Sequence, residues 1–113
     1  MDRQFLLNLL NEEGYPNHMI DTTITKLEQL DQVIKDSFAS WVENGTKLEI
    51  EIEGYSFQML VDSYGMKPVG AFLTLNWLTK DLESALRPLK RGIRLLIPDL
   101  CRPLITHLME RYT

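Results

Sequence analysis

Five basic side chains are the residues of this sequence whose type and spacing most clearly suggest binding chemistry. Lys67 precedes a long apolar stretch, and the other four lie close together in the C-terminal third: Arg87, Lys90, Arg91 and Arg94. On a continuous helix positions 87, 91 and 94 share one face, which would suit phosphates or an acidic protein surface. A solvated rim is the alternative interpretation, because a proline and a glycine interrupt this stretch.

The charge of the chain is split along its length. Residues 1–79 carry 5 basic and 12 acidic side chains, whereas residues 80–113 carry 7 basic and 4 acidic ones, for a formal net charge of −4. An acidic chain does not by itself suggest nucleic-acid binding, but such a split is typical of a protein with a distinct binding face.

Three glutamates alternate with apolar residues between positions 47 and 53. Leu48, Ile50 and Ile52 point to one side of a strand and Glu49, Glu51 and Glu53 to the other. Three carboxylates could bind a hard cation, but no other ligand-rich segment accompanies them, and a solvent-facing strand edge is the favoured interpretation. A strand needs a partner, which is either residues 93–97, with Arg94 facing the glutamates, or another chain. Residues 93–97 could instead be helical.

The thiol and imidazole groups do not form a recognisable catalytic or metal site. Cys101 and His107 are six residues apart, which places them on different faces of a helix, and His18 is isolated. No phosphate-binding loop, nucleophile elbow or dinucleotide glycine pattern is present. We therefore predict no catalytic residue, no cofactor and no metal, and a protein that is not an enzyme.

Residues 57–78 have the outline of a helix-turn-helix hairpin, with the turn at Gly65-Met66 and the small Ala71 in the second helix. The second helix begins at Pro68 and is apolar on almost every side. A DNA-reading helix needs polar or basic side chains, whereas an all-round apolar helix is usually buried. The composition favours a core helix over a recognition helix.

A long amphipathic helix is predicted from about residue 18 to residue 44. Its apolar stripe has the spacing of one helix face and includes Ile20, Ile24, Leu27, Ile34, Phe38 and Trp41. Such a helix would be about 40 Å long, which is long for a domain of this size. Such a helix either spans the whole fold or packs against a second copy or another protein. The second alternative is favoured, with an interface of Ile24, Leu27, Ile34, Phe38 and Trp41.

The elements assemble into a mainly α domain that occupies residues 1–113 as a single unit. We predict five or six helices, the strand at 47–53, and a final helix ending near Tyr112 with Leu104 and Leu108 on one face. One cysteine, no secretory signal pattern and no apolar run of about 20 residues predict a cytoplasmic protein without a membrane span.

Two functions follow as hypotheses from these features. The first is a non-enzymatic protein-protein interaction module or homodimeric subunit, which binds itself or another protein. The second, less favoured, is a nucleic-acid-binding regulator of helix-turn-helix type that uses Lys67, Arg87, Lys90, Arg91 and Arg94 on phosphates.

Overall fold

The computed structural model describes residues 2–45, 50–80, 82–92 and 102–112. Within these ranges the chain forms seven helices and one two-stranded sheet, so the predicted mainly α class is confirmed. In chain order the elements are α1 Arg3–Glu12, α2 Asn17–Glu28, α3 Gln32–Asn44, β1 Glu51–Ile52, β2 Tyr55–Ser56, α4 Phe57–Asp62, α5 Pro68–Leu78, α6 Leu82–Lys90 and α7 Arg102–Tyr112. They divide into two units, Met1–Thr46 and Lys47–Thr113.

The first unit contains α1, α2 and α3. The carboxylate of Asp2 caps α1 by accepting a hydrogen bond from the Phe5 amide at 2.7 Å, and Gly14 ends this segment with a left-handed φ of 82°. α1 packs against α2, and Arg3 pairs with Asp21 at 2.5 Å between these two helices. The three helices and the connection between α2 and α3 supply the buried residues Leu6, Leu10, Ile20, Ile24, Leu27, Leu30, Ile34 and Phe38.

The predicted single helix over residues 18–44 is wrong. The structure ends α2 at Glu28 and begins α3 at Gln32, with Asp31 in an extended conformation at the start of α3. The break buries Leu30, which is 5% exposed, whereas an uninterrupted helix would place it beside the apolar stripe. Two shorter helices can therefore bury the stripe without a helix of about 40 Å.

The second unit begins with a tight β-hairpin. Glu51 pairs with Ser56 and Ile52 with Tyr55, so only Glu53 and Gly54 form the loop. Both loop residues have positive φ, 54° and 82°, as a type I′ turn requires. The predicted strand is thus confirmed in its last residues, but Glu53 lies in the turn and not on the strand face. Residues 46–49 and the predicted partner strand 93–97 lie outside the described residues.

The α4–α5 hairpin forms the centre of the second unit. Ser56 caps α4 by accepting a hydrogen bond from the Met59 amide at 3.0 Å, and Pro68 occupies the first turn of α5. The rings of Phe57 and Phe72 stack at 4.6 Å between the two helices. α5 also packs against β1 and α6, so it is surrounded by the other elements of its unit.

The last two helices complete this unit. α6 runs through Pro88 without dividing, and the indole nitrogen of Trp77 donates to the Ala85 carbonyl at 3.1 Å, which joins α5 to α6. α7 packs against α6 and buries Leu104 and Leu108 completely, as its predicted apolar face requires. None of the helices in the described part of the chain has the length and hydropathy of a membrane span.

Candidate interaction surface

An exposed basic face on α6 is the strongest candidate for a binding surface. Ala85 and Leu86 are buried on the inner side of this helix, whereas Arg87, Lys90 and Arg91 are all exposed. The Arg91 amide hydrogen-bonds to the Arg87 carbonyl at 3.2 Å, so helical geometry continues one residue beyond α6. Positions 87, 90 and 91 therefore lie within about 100° of one another around the helix. We call these three residues the α6 basic face.

Arg87 is only weakly neutralised by the nearest acidic side chain of its own helix. Glu83 lies one turn before Arg87, and the closest N–O distance between them is 4.0 Å with both side chains more than half exposed. An exposed pair of this kind contributes little, about 0–1 kcal/mol, and can be exchanged for a partner's carboxylate.

The other two basic residues predicted as contacts, Lys67 and Arg94, are not part of the α6 basic face. Lys67 is exposed at the start of α5, at the opposite end of that helix from the α5–α6 connection. Arg94 lies outside the described residues. The α6 basic face therefore contains three of the five predicted residues, and it is the part of the cluster that the structure brings together.

The second helix of the helix-turn-helix-like hairpin is not available to read DNA. Eight of its eleven residues are buried: Val69, Gly70, Ala71, Phe72, Leu73, Thr74, Leu75 and Leu78. Even the hydroxyl of Thr74 is engaged internally, since it donates to the Gly70 carbonyl at 2.8 Å. A recognition helix must expose side chains to base edges, so α5 has the role of a core helix.

Four of the five residues predicted as a self-association interface are buried. Ile24, Ile34 and Phe38 are 0% exposed and Leu27 is 4% exposed. Trp41 is half-buried, and its ring stacks on Phe38 with 6.1 Å between the ring centroids. Without a rearrangement of the chain, only Trp41 of this set can be reached by a partner.

A polar cluster that was not predicted from the sequence joins the hairpin to α7. The Tyr55 hydroxyl lies 2.5 Å from His107 Nδ1, and the Tyr64 hydroxyl lies 3.4 Å from the same atom. One turn further along α7, Arg111 donates to the Glu53 carbonyl oxygen and lies 3.7 Å from the Glu53 carboxylate. Its guanidinium carbon is 5.5 Å from the Tyr55 ring centroid.

The electrostatics of this polar cluster favour a neutral Tyr55. Burial raises the pKa of the Tyr55 hydroxyl, and a hydrogen bond from Arg111 only partly opposes this shift. The neutral phenol remains within hydrogen-bonding distance of His107 Nδ1. Because the contacts of Tyr55 and Glu53 hold the hairpin against α7, we assign the cluster a structural role.

No metal site accompanies these features. Among the described residues no group of three histidine, cysteine, aspartate or glutamate side chains could hold a metal ion. Glu51 is exposed on the hairpin and Glu53 is paired with Arg111, while Glu49 and Cys101 lie outside the described residues.

No protein-family model, curated protein or solved structure matches this chain.

Proposed function

We propose that this chain is a non-enzymatic protein-interaction module that binds an acidic protein surface through the α6 basic face. The observation that supports the proposal is the exposure of Arg87, Lys90 and Arg91 together on one amphipathic helix. The inner side of that helix is fixed by buried Ala85 and Leu86, so the three cations are presented on a rigid element. A preorganised set of charges loses little conformational entropy when it binds.

Nucleic acid is the less suitable partner for this face. Proteins that bind DNA through its backbone can make about 6–10 phosphate contacts, whereas the α6 basic face offers three cations. The rest of the chain is acidic, with a net charge of −4 overall, and would repel a polyanion of high charge density. α5, the second helix of the helix-turn-helix-like hairpin, is also mostly buried. A folded protein with a few surface carboxylates fits these limits better.

A structural role for the same cations is the competing explanation. Arg87 and Lys90 lie in the last turn of α6 and Glu83 in its first turn, which is the arrangement that the helix dipole favours. This effect would account for the charges at 87 and 90 without any partner. Arg91 directly follows the helix, so the same dipole favours it as well, and peptide binding by Arg87 and Arg91 separates the two explanations.

Binding of a labelled acidic peptide tests the proposal. Fluorescence anisotropy of a fluorescein-labelled oligo-glutamate peptide should rise with protein at low salt and fall back as salt is added. The double variant Arg87→Glu/Arg91→Glu should weaken binding about tenfold or more, since each reversal replaces an attraction by a repulsion. The control Lys80→Glu/Arg102→Glu changes the net charge equally at two other exposed positions.

The same assay with a DNA duplex distinguishes the two classes of partner. The proposal expects the peptide to bind more tightly than the duplex at equal salt. Tight duplex binding that depends on Lys67 and the α6 basic face would support the nucleic-acid hypothesis instead. Equal loss of peptide binding in the test and control variants would show that net charge, and not this face, is responsible.

A further inference from the structure

We infer that the acidic surface bound by the α6 basic face is the exposed face of α3 in a second copy of this chain. The inference rests on the proposed function, because it names the partner of the same face. Self-association would then depend on charged surfaces and not on the apolar stripe of α2 and α3, since most of that stripe is buried.

The exposed face of α3 has the charge and spacing that the α6 basic face needs. Asp36 and Glu43 are both exposed, and seven residues place them on the same side of the helix, about 10 Å apart along its axis. Gln32 lies on the same side and donates to Asp36 Oδ1 at 2.7 Å, which holds that carboxylate in place. Lys35 is the one basic residue of α3, and it is less exposed than either carboxylate.

The opposite charges of the first unit and of the α6 segment favour pairing between copies. Residues 2–45 carry eight acidic and three basic side chains, and one of the basic ones, Arg3, already pairs with Asp21 at 2.5 Å. Residues 82–92 carry three basic side chains and one acidic one. Every copy thus presents both an acidic and a basic surface, which are complementary in charge.

The strength of such a dimer follows from the exposure of its charges. Exposed ion pairs are individually weak and are screened by salt. We therefore expect a dimer that forms at low salt and high protein concentration and dissociates as the ionic strength rises. A dimer with an apolar interface would persist as the ionic strength rises, because added salt does not weaken apolar contacts.

A charge-swap experiment by sedimentation equilibrium tests the inference. At about 20 mM salt the wild type should self-associate, and at about 500 mM salt it should be monomeric. Arg87→Glu/Arg91→Glu and Asp36→Lys/Glu43→Lys should each be monomeric at low salt, whereas the four substitutions together should restore the dimer. Lys80→Glu/Arg102→Glu is the control at two other exposed positions. Circular dichroism verifies folding, and Arg87→Gln/Arg91→Gln replaces any variant that fails to fold.

The outcomes separate this inference from the proposed function. A wild type that is monomeric at low salt overturns the inference, and so does a fourfold variant that stays monomeric although it is folded. If the oligo-glutamate peptide still binds through Arg87 and Arg91 in that case, the proposed function stands and the partner is another protein. A wild type that neither self-associates nor binds the peptide overturns both the inference and the proposed function.

Discussion

The hydroxyl oxygen of Tyr55 lies 2.5 Å from Nδ1 of His107, although the two residues are 52 positions apart in the chain. Tyr55 is 1% exposed and belongs to the β-hairpin, whereas His107 is exposed and belongs to α7. The contact connects the start of the second unit to its last helix. Long-range contacts of this kind stabilise the folded state against the release of a terminal helix.

Replacing Tyr55 by phenylalanine should destabilise the second unit. The variant removes one hydrogen bond and leaves His107 Nδ1 without its closest partner, which should cost about 0.5–1.5 kcal/mol in the free energy of unfolding. Tyr64→Phe is the matched control, because its hydroxyl is 3.4 Å from the same nitrogen and should cost less. Urea unfolding followed by circular dichroism measures both. A larger loss in Tyr64→Phe than in Tyr55→Phe would contradict the account.

The raised pKa of Tyr55 predicts a loss of stability at alkaline pH. Burial holds the hydroxyl protonated in the folded state above the pH, about 10, at which an unfolded tyrosine ionises. The stabilisation of the folded state by the protonated Tyr55 is therefore complete below pH 10, and it is lost as the pH rises through the folded-state pKa. The free energy of unfolding should fall more for the wild type than for Tyr55→Phe between about pH 9 and pH 11. Equal falls in both proteins would show that Tyr55 is not the group responsible.

Much of the local structure was predictable because it depends on neighbours in the sequence. The caps at Asp2 and Ser56 and the helix start at Pro68 follow from side-chain and backbone preferences of single residues. The break between α2 and α3 was not predicted, because no glycine or proline marks it and the apolar stripe resumes after its interruption at Asp31. Asp31 occupies the N-cap position of α3, and it was a signal in the sequence that could have indicated a new helix start.

The candidate surface was predicted more completely than the cluster at the hairpin. Arg87, Lys90 and Arg91 are neighbours on one helix, so helical spacing alone brings them together. Tyr55 and His107 meet only through tertiary packing, which no local pattern reports. The Glu53-Gly54 pair after an alternating strand was the one signal in the sequence that could have indicated the hairpin.

The hairpin turn should be sensitive to substitution at Gly54. This residue has a φ of 82°, and a Cβ there would lie 4.0 Å from Arg111 Nη1, which is an ordinary contact distance. Gly54→Ala should therefore lower the free energy of unfolding by about 1–2 kcal/mol, because alanine is strained in this backbone conformation. Gly54→Asn should lose less stability than Gly54→Ala, because asparagine tolerates the left-handed region better than alanine does. Thermal unfolding of the two variants makes the comparison, and equal losses would argue against a left-handed residue at this position.

The break between α2 and α3 predicts opposite sensitivities for two nearby apolar residues. Leu30 is 5% exposed and Val33 is 53% exposed. Leu30→Ala should therefore cost about 2–4 kcal/mol by leaving a cavity, whereas Val33→Ala should change the free energy of unfolding by less than about 0.5 kcal/mol. Urea denaturation gives both values. A Leu30→Ala variant that loses less than about 0.5 kcal/mol would contradict the buried position of Leu30 in this connection.

Mapping by NMR tests the central claim, binding of an acidic surface by the α6 basic face, most directly. An isotope-labelled sample would be titrated with the oligo-glutamate peptide at low salt, and amide chemical-shift changes recorded along the chain. The account predicts that the largest changes cluster from Glu83 to Arg91 and vanish in the Arg87→Glu/Arg91→Glu variant. Changes that centre on Lys67, or that persist in this variant, would contradict it.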